Sequence, residues 1–329
     1  MTKKICLLLI STIICLSALT GCNINICNDT TRTDATADNI LNGGSYSTAG
    51  SPCVDTTAEY ELLQDIVGQI RQITDFEPSL AIILGSGLNS FADKIEQVAV
   101  IPYADINGLP VSGAPGHEGR FVFGYLEGVP TIIMQGRLHC YEGYSSLQVV
   151  RPVRVMKMLG ATTLVLTNSS GAVNPDYNGG EIMMITDQIL YGVQNPLIGS
   201  NIDELGGRFP DMNGAYDQEL RDILRRCAKE AGIELFEGTY LQDSGPTYET
   251  VSETKMFRTF GADAVGMSTG IEAVAACQMG MRICGLSCVT APPADAATET
   301  LNEDVVNAQA DSMTEDLGRL LTLFAQNYK

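Results

Sequence analysis

Beyond residue 56, short apolar runs alternate with stretches in which apolar residues recur every three or four positions. Leu62, Leu63, Ile66, Ile70 and Ile73 predict an amphipathic helix that opens the folded part near Thr57. Leu80–Leu84 reads as a short buried strand, ending in Gly85-Ser86-Gly87-Leu88. Phe121–Leu126 and Thr131–Gln135 flank Glu127-Gly128, a hairpin pattern. Leu147–Leu159 predicts one helix closing at Gly160, followed by a strand over Thr162–Thr167 and a polar loop, Asn168-Ser169-Ser170-Gly171. Helix, glycine and strand then follow one another three times: Asp217–Ala231 to Glu237–Gln242, Ser252–Phe260 to Asp263–Met267, and Ile271–Met279 to Met281–Val289. A last helix is expected from about Glu303 to Asn327. Such alternation means an α/β domain with a mostly parallel sheet flanked by helices.

The first 56 residues follow a different logic. Lys3 and Lys4 precede an apolar run, Ile5–Leu16, too short to span a bilayer comfortably. Leu19-Thr20-Gly21-Cys22 is similar to the lipobox of bacterial lipoproteins, which makes 1–21 an expected signal peptide and Cys22 the expected lipidation site. Residues 22–56, rich in Asn, Thr, Asp, Ser and Gly, read as a polar tether, leaving 57–329 as the folded domain. Lipid anchoring on the outer face of a bacterial cell membrane follows as the expected location. The net charge of −19 disfavours nucleic acid as a partner. Cys140, Cys227, Cys277, Cys284 and Cys288 lack C-x-x-C spacing and read as free thiols. With two histidines in the chain, a metal site is not expected.

Candidate chemistry concentrates in Gly-Arg-Leu-His-Cys-Tyr-Glu-Gly-Tyr, residues 136–144. Arg137 and His139 stand two apart, so an extended backbone projects both from one face. A guanidinium fork beside an imidazole suits a tetrahedral oxyanion, and Tyr141 follows on the same parity. Gly85-Ser86-Gly87 offers amides and a hydroxyl to an anion, or is a plain turn. Tyr248 beside Glu249, in Gly245-Pro246-Thr247-Tyr248-Glu249-Thr250, suits a heterocycle that stacks and donates N–H; the same residues also suit a helix cap.

Together these segments resemble the trimeric purine nucleoside phosphorylase family. The resemblance runs from about Leu80 to the C-terminal helix. It rests on Gly85-Ser86-Gly87-Leu88, Pro115-Gly116-His117, the Arg137 run, Gly245-Pro246-x-Tyr248-Glu249-Thr250 and Gly261–Thr269, in family order. It implies a single domain with a mixed, mostly parallel sheet, a homotrimer, and no cofactor, inorganic phosphate being a co-substrate. By the same resemblance Ser86, His117, Arg137, His139, Ser169 and Ser268 would hold phosphate. Tyr141, Met267 and Asn302 would meet the ribose, and Tyr248, Glu249, Thr290 and Ala291 the base. The implied reaction is phosphorolysis of inosine, guanosine and their deoxy forms to free base and ribose 1-phosphate, with His139 and Glu249 in catalytic roles.

Three positions depart from that pattern. Ala291 replaces an Asn that donates to the leaving purine, Asn302 replaces a His at the ribose, and Leu205 replaces a Phe lent by a neighbouring subunit. Asp295 is the expected substitute proton donor. The departures keep open a nucleoside-binding surface lipoprotein, or a phosphorylase of altered base preference such as one for methylthioadenosine. Glu249 disfavours the latter, because its carboxylate would face an unprotonated ring nitrogen.

Overall fold

A computed structural model describes residues 56–113, 118–298 and 300–328. The expected signal peptide, lipidated Cys22 and the tether as far as residue 55, and also His117, lie outside the described residues.

The first helix, α1 (Thr56–Ile73), buries Leu63, Ile66 and Ile70 completely, the 3–4 spacing that the sequence displays. Next comes β1 (Leu80–Leu84), whose side chains divide by parity between two cores. Ala81 and Ile83 face one shared with α1; Leu80, Ile82 and Leu84 face the other. An edge strand, β2 (Glu96–Pro102), pairs antiparallel with β3 (Arg120–Leu126), and β3 with β4 (Val129–Gln135). Glu127 and Gly128, at φ 52° and 80°, form the tight turn between the last two, where both central residues need positive φ.

Where the sequence predicts one helix over 147–159 there are two, α2 (Ser146–Val149) and α3 (Arg151–Met158). Pro152 lies in the first turn of α3; having no N–H, it starts a helix more readily than it continues one. The sheet continues with β5 (Thr163–Ala172) and β6 (Ile182–Leu190). Neither β2 nor β6 is anticipated by the sequence pattern. Asp217 caps α4 (Gln218–Ala231), with Gly232 left-handed at its end, before β7 (Leu235–Gln242). Thr250 caps α5 (Val251–Phe260), and β8 (Ala264–Gly266), α6 (Gly270–Gln278), β9 (Arg282–Ala291) and α7 (Glu303–Asn327) complete the chain.

The strand order is β2-β3-β4-β1-β5-β8-β7-β6-β9, and β9 returns to pair with β5. Strands β5, β8, β7, β6 and β9 therefore close a ring at one end of the sheet. Helices α4 and α7 cover the Leu80–Ile82–Leu84 face with Leu220, Leu224, Leu320 and Phe324. The α/β class and the mixed, helix-flanked sheet agree with the sequence reading. All five described cysteines are free, three of them buried.

The largest difference concerns β5. The sequence ends that strand at Thr167, because Asn168-Ser169-Ser170-Gly171 is polar, yet those residues stay in register with Ser287–Ala291 of β9. Polar residues remain in a buried strand here because their partners lie on neighbouring elements. Ser287 Oγ donates to Asn168 Oδ1 at 2.5 Å and approaches Ser170 Oγ at 2.7 Å, and Asn168 Nδ2 donates to Thr269 Oγ1 at 2.9 Å.

Gly85 packs directly on this segment. A Cβ there would stand 2.6 Å from Asn168 Cα, inside van der Waals contact with backbone. Gly85→Ala is therefore expected to destabilise the fold by about 1–3 kcal/mol and to displace Ser86. Urea unfolding checks the first effect and phosphate affinity the second.

Candidate active site

The ends of β1, β4, β5, β8 and β9 converge on one cleft. Its narrow part, about 130 Å³, is lined by Ser86, Arg137, His139, Tyr141, Ser169 and Ser268 among others. Met267, Tyr248, Glu249, Thr290 and Ala291 also line it. The last four named continue into a wider chamber of about 550 Å³. The cleft thus gathers residues separated by up to 220 positions (86 to 306) into one volume.

Arg137 is 1% exposed and held on two sides. Its Nη2 donates to Glu272 Oε2 at 2.9 Å and its Nε to Glu272 Oε1 at 3.3 Å, while Nη1 donates to the Thr167 carbonyl. Glu272, wholly buried in α6, neutralises and orients the guanidinium before any ligand arrives. His139 is set similarly. Glu142 Oε2 accepts from the His139 amide at 2.8 Å and lies 3.1 Å from Nδ1. Burial pushes the Glu142 carboxyl up, but hydrogen bonds from the His139 ring, the Gly113 amide and the His139 amide outweigh it and hold Glu142 below the usual range. Tyr141 belongs to a 3₁₀ turn, Cys140–Glu142, not to the extended segment; it reaches the cleft by stacking on His139, with centroids 4.5 Å apart. Burial pushes its phenol up to about 12, so it stays protonated as a neutral donor.

Ser268 enters the cleft from a strained turn. Thr269 has φ 82° and ψ −52°, and the Gly270 amide donates to the Ser268 carbonyl at 3.0 Å, which closes a γ-turn. A β-branched residue in that region is costly and persists because Asn168 grips its hydroxyl. On the opposite wall, a register shift between Ser170 and Gly171 leaves Thr290 as the extra residue of a bulge. Its hydroxyl donates to the Ser170 carbonyl at 3.0 Å, and Ala291 follows at the rim of the chamber. Desolvation drives the Glu249 carboxyl up to about 7.

Two sequence expectations fail at this point. Asp295 does not line the cleft: its carboxylate takes two hydrogen bonds from Arg258, each 2.9 Å. That pairing holds it below the usual range, which makes it a poor proton donor. Asn302 does not line the cleft either; its Oδ1 caps α7 by accepting from the Val305 amide at 3.1 Å, while Leu301 and Val306 face the cavity. Leu205, the third departure from the family pattern, is buried in a core of its own chain, 4% exposed.

A cleft with a guanidinium and imidazole at one end and a carboxyl at the other is what a nucleoside and an anion require together. The family model for the phosphorylase superfamily matches residues 79–326. The chain belongs to this superfamily, and within it to the purine nucleoside phosphorylases. It is 44% identical over 250 residues to purine nucleoside phosphorylase 1 of Geobacillus stearothermophilus, covering 76% of this chain and 91% of that one. The bovine (Bos taurus) purine nucleoside phosphorylase is also 44% identical, over 70% of this chain and 82% of its own. Among solved structures, Schistosoma mansoni purine nucleoside phosphorylase in complex with inosine superposes with a TM-score of 0.76 at 34% identity. That match covers 80% of this chain and 95% of the other. The schistosome enzyme with hypoxanthine gives 0.78 at 34%, over 82% and 98%.

Sequence reasoning about this phosphorylase misses the residues that hold the site residues in place. Glu272 is legible in retrospect: a lone carboxylate in the apolar run Gly270–Gln278 marks a buried counter-charge. Glu142 stands three residues after His139, the spacing at which a side chain reaches back to a capping residue. Thr269, Leu301 and Val306 carry no such pattern.

Proposed function

We propose that the protein cleaves 6-oxopurine nucleosides with inorganic phosphate, releasing the free base and ribose 1-phosphate. The observation that carries this reading is the single cleft with Arg137 and His139 at one end and Glu249 at the other. In the proposed complex, Ser86, Arg137, His139, Ser169 and Ser268 bind phosphate, Tyr141 and Met267 flank the ribose, and Tyr248 and Glu249 hold the base. Ionised Glu249 accepts the N–H of the six-membered ring, which a 6-oxopurine has and adenine lacks. The C1′–N9 bond loosens first, and the ribosyl centre takes on oxocarbenium character. A phosphate oxygen then forms the new bond to C1′ while the purine keeps the electron pair. No covalent enzyme intermediate is required, because positioning and charge stabilisation carry the rate.

Purified protein given inosine and phosphate is expected to release hypoxanthine and ribose 1-phosphate, and none when phosphate is left out. Measurable inosine affinity without release at high enzyme would instead favour the nucleoside-binding reading, for which the alanine at 291 speaks.

Assembly and location complete the proposal. An exposed apolar groove holds Leu197, Ile198, Phe209, Pro210 and Met212, with Phe209 90% exposed, and a homotrimer would cover such a surface. Light scattering at three times the mass of the processed chain is the expected result. The Leu19–Cys22 sequence supports export and lipid anchoring; Cys22→Ser is expected to abolish palmitate labelling in the producing cell.

A further inference from the structure

The two halves of the cleft differ in charge. Arg137 and His139 both line the narrow half. Past Glu249, the described residues lining the wide chamber include no lysine, arginine or histidine. Among those described residues the Glu249 carboxyl is the acid, and burial favours its neutral form.

Side-chain hydrogen-bond donors are also scarce among those residues. The Thr250 hydroxyl donates to Glu253 at 2.8 Å, that of Thr254 to the Thr250 carbonyl at 3.2 Å, and that of Thr290 to the Ser170 carbonyl. Ala172, Ala291, Ala294 and Ala297 contribute only carbon at their side chains. Tyr248, Thr298 and Thr300 keep hydroxyls, but on exposed residues where water competes for them.

This lining suits one kind of leaving group. An ordinary purine departs with negative charge spread over its rings, and that charge would enter a space holding a carboxyl and committed hydroxyls. A purine alkylated on its five-membered ring carries a fixed positive charge in the nucleoside and departs neutral. Its positive charge would also favour ionised Glu249, and the net charge of −19 draws a cation toward the protein. Alanine at 291 and a chamber of about 550 Å³ leave room for the alkyl group.

We infer that the wide chamber selects purine nucleosides whose base is cationic and ring-alkylated, of which 7-methylguanosine is the simplest probe. The inference deepens the phosphorolysis proposed above and rests on it. In the step itself the C1′–N9 bond breaks and N9 keeps the electron pair, which discharges the cation to neutral 7-methylguanine. A hydrogenphosphate oxygen bonds to C1′, and the ribose 1-phosphate formed loses its remaining proton to water. No proton has to reach the base, whereas guanosine needs one.

The test compares kcat/KM for 7-methylguanosine and guanosine at saturating phosphate. At least a tenfold advantage for 7-methylguanosine is expected. Equal values, or a preference for guanosine, overturn the inference while leaving phosphorolysis intact. Phosphate-dependent cleavage of neither substrate overturns phosphorolysis itself. Ala291→Asn, which adds a donor and removes space, is expected to raise kcat/KM for guanosine and lower it for 7-methylguanosine. A parallel change in both would count against the inference. Should that variant not fold, calorimetric titration of the unaltered protein decides: tighter binding of 7-methylguanosine than of guanosine supports the inference, and equal or weaker binding overturns it.

Discussion

Arg137→Ala is expected to lower kcat/KM for phosphate by at least about 10³-fold and to destabilise the fold by about 3–5 kcal/mol. The two losses have separate causes. Turnover falls because the guanidinium that faces the oxyanion is gone. Stability falls because Glu272, wholly buried, loses the partner that donates at 2.9 and 3.3 Å. Such a loss is a large share of the roughly 5–15 kcal/mol by which a domain is stable. Combining Arg137→Met with Glu272→Leu separates the effects, because an apolar pair of similar volume replaces a buried ion pair at little cost. The double variant should unfold near the wild-type urea midpoint yet remain inactive. Recovered activity would remove Arg137 from the phosphate site.

Glu249→Ala is expected to lower kcat/KM for inosine by about 10²-fold, the loss of one charge-assisted hydrogen bond worth roughly 1.5–3 kcal/mol. Any activity on adenosine should be almost unchanged, so the ratio of the two substrates is the diagnostic readout. Acidity sharpens the prediction. Desolvation raises Glu249 to about 7, a hydrogen bond from its own amide opposes this, and Asp243 and Glu253 add repulsion that raises it further. The ionised form accepts an N–H far more strongly than the neutral acid does. Hypoxanthine affinity, measured by calorimetry without phosphate, should therefore fall as pH drops below about 7, while Glu249→Gln shows no such slope. The same shift acts on folding with a fixed sign. A carboxyl whose folded pKa is raised contributes stability at low pH that is lost as pH rises toward about 7. Glu249→Gln should therefore be more stable than wild type at pH 8 and no more stable at pH 4.

The elements that proved legible are those governed by local physics. Helix α1 announces itself through Leu63, Ile66 and Ile70, α4 through Asp217 and Gly232 at its two ends, and the β3–β4 hairpin through Glu127-Gly128. Strands β2 and β6 were missed because neither shows a clean two-residue alternation: most of β2 is exposed at an edge, and the outer half of β6 is only partly buried. The end of β5 was misread for another reason. Asn168, Ser169 and Ser170 look like loop residues until Ser287 and Thr269 arrive from elsewhere in the chain to satisfy them.

By itself the sequence determined the α/β class, the family, and which residue types meet in the cleft, because periodicity, caps and short motifs are encoded locally. Tertiary structure alone decided that Glu272 is the counter-charge of Arg137. It also drew Asp295 away to Arg258 and turned Asn302 into a helix cap. Those outcomes depend on which charges and donors are brought within hydrogen-bond reach across 37 to 135 residues of chain, or on which of two roles a side chain adopts when its neighbours are in place. Spacing along the chain does not carry that information.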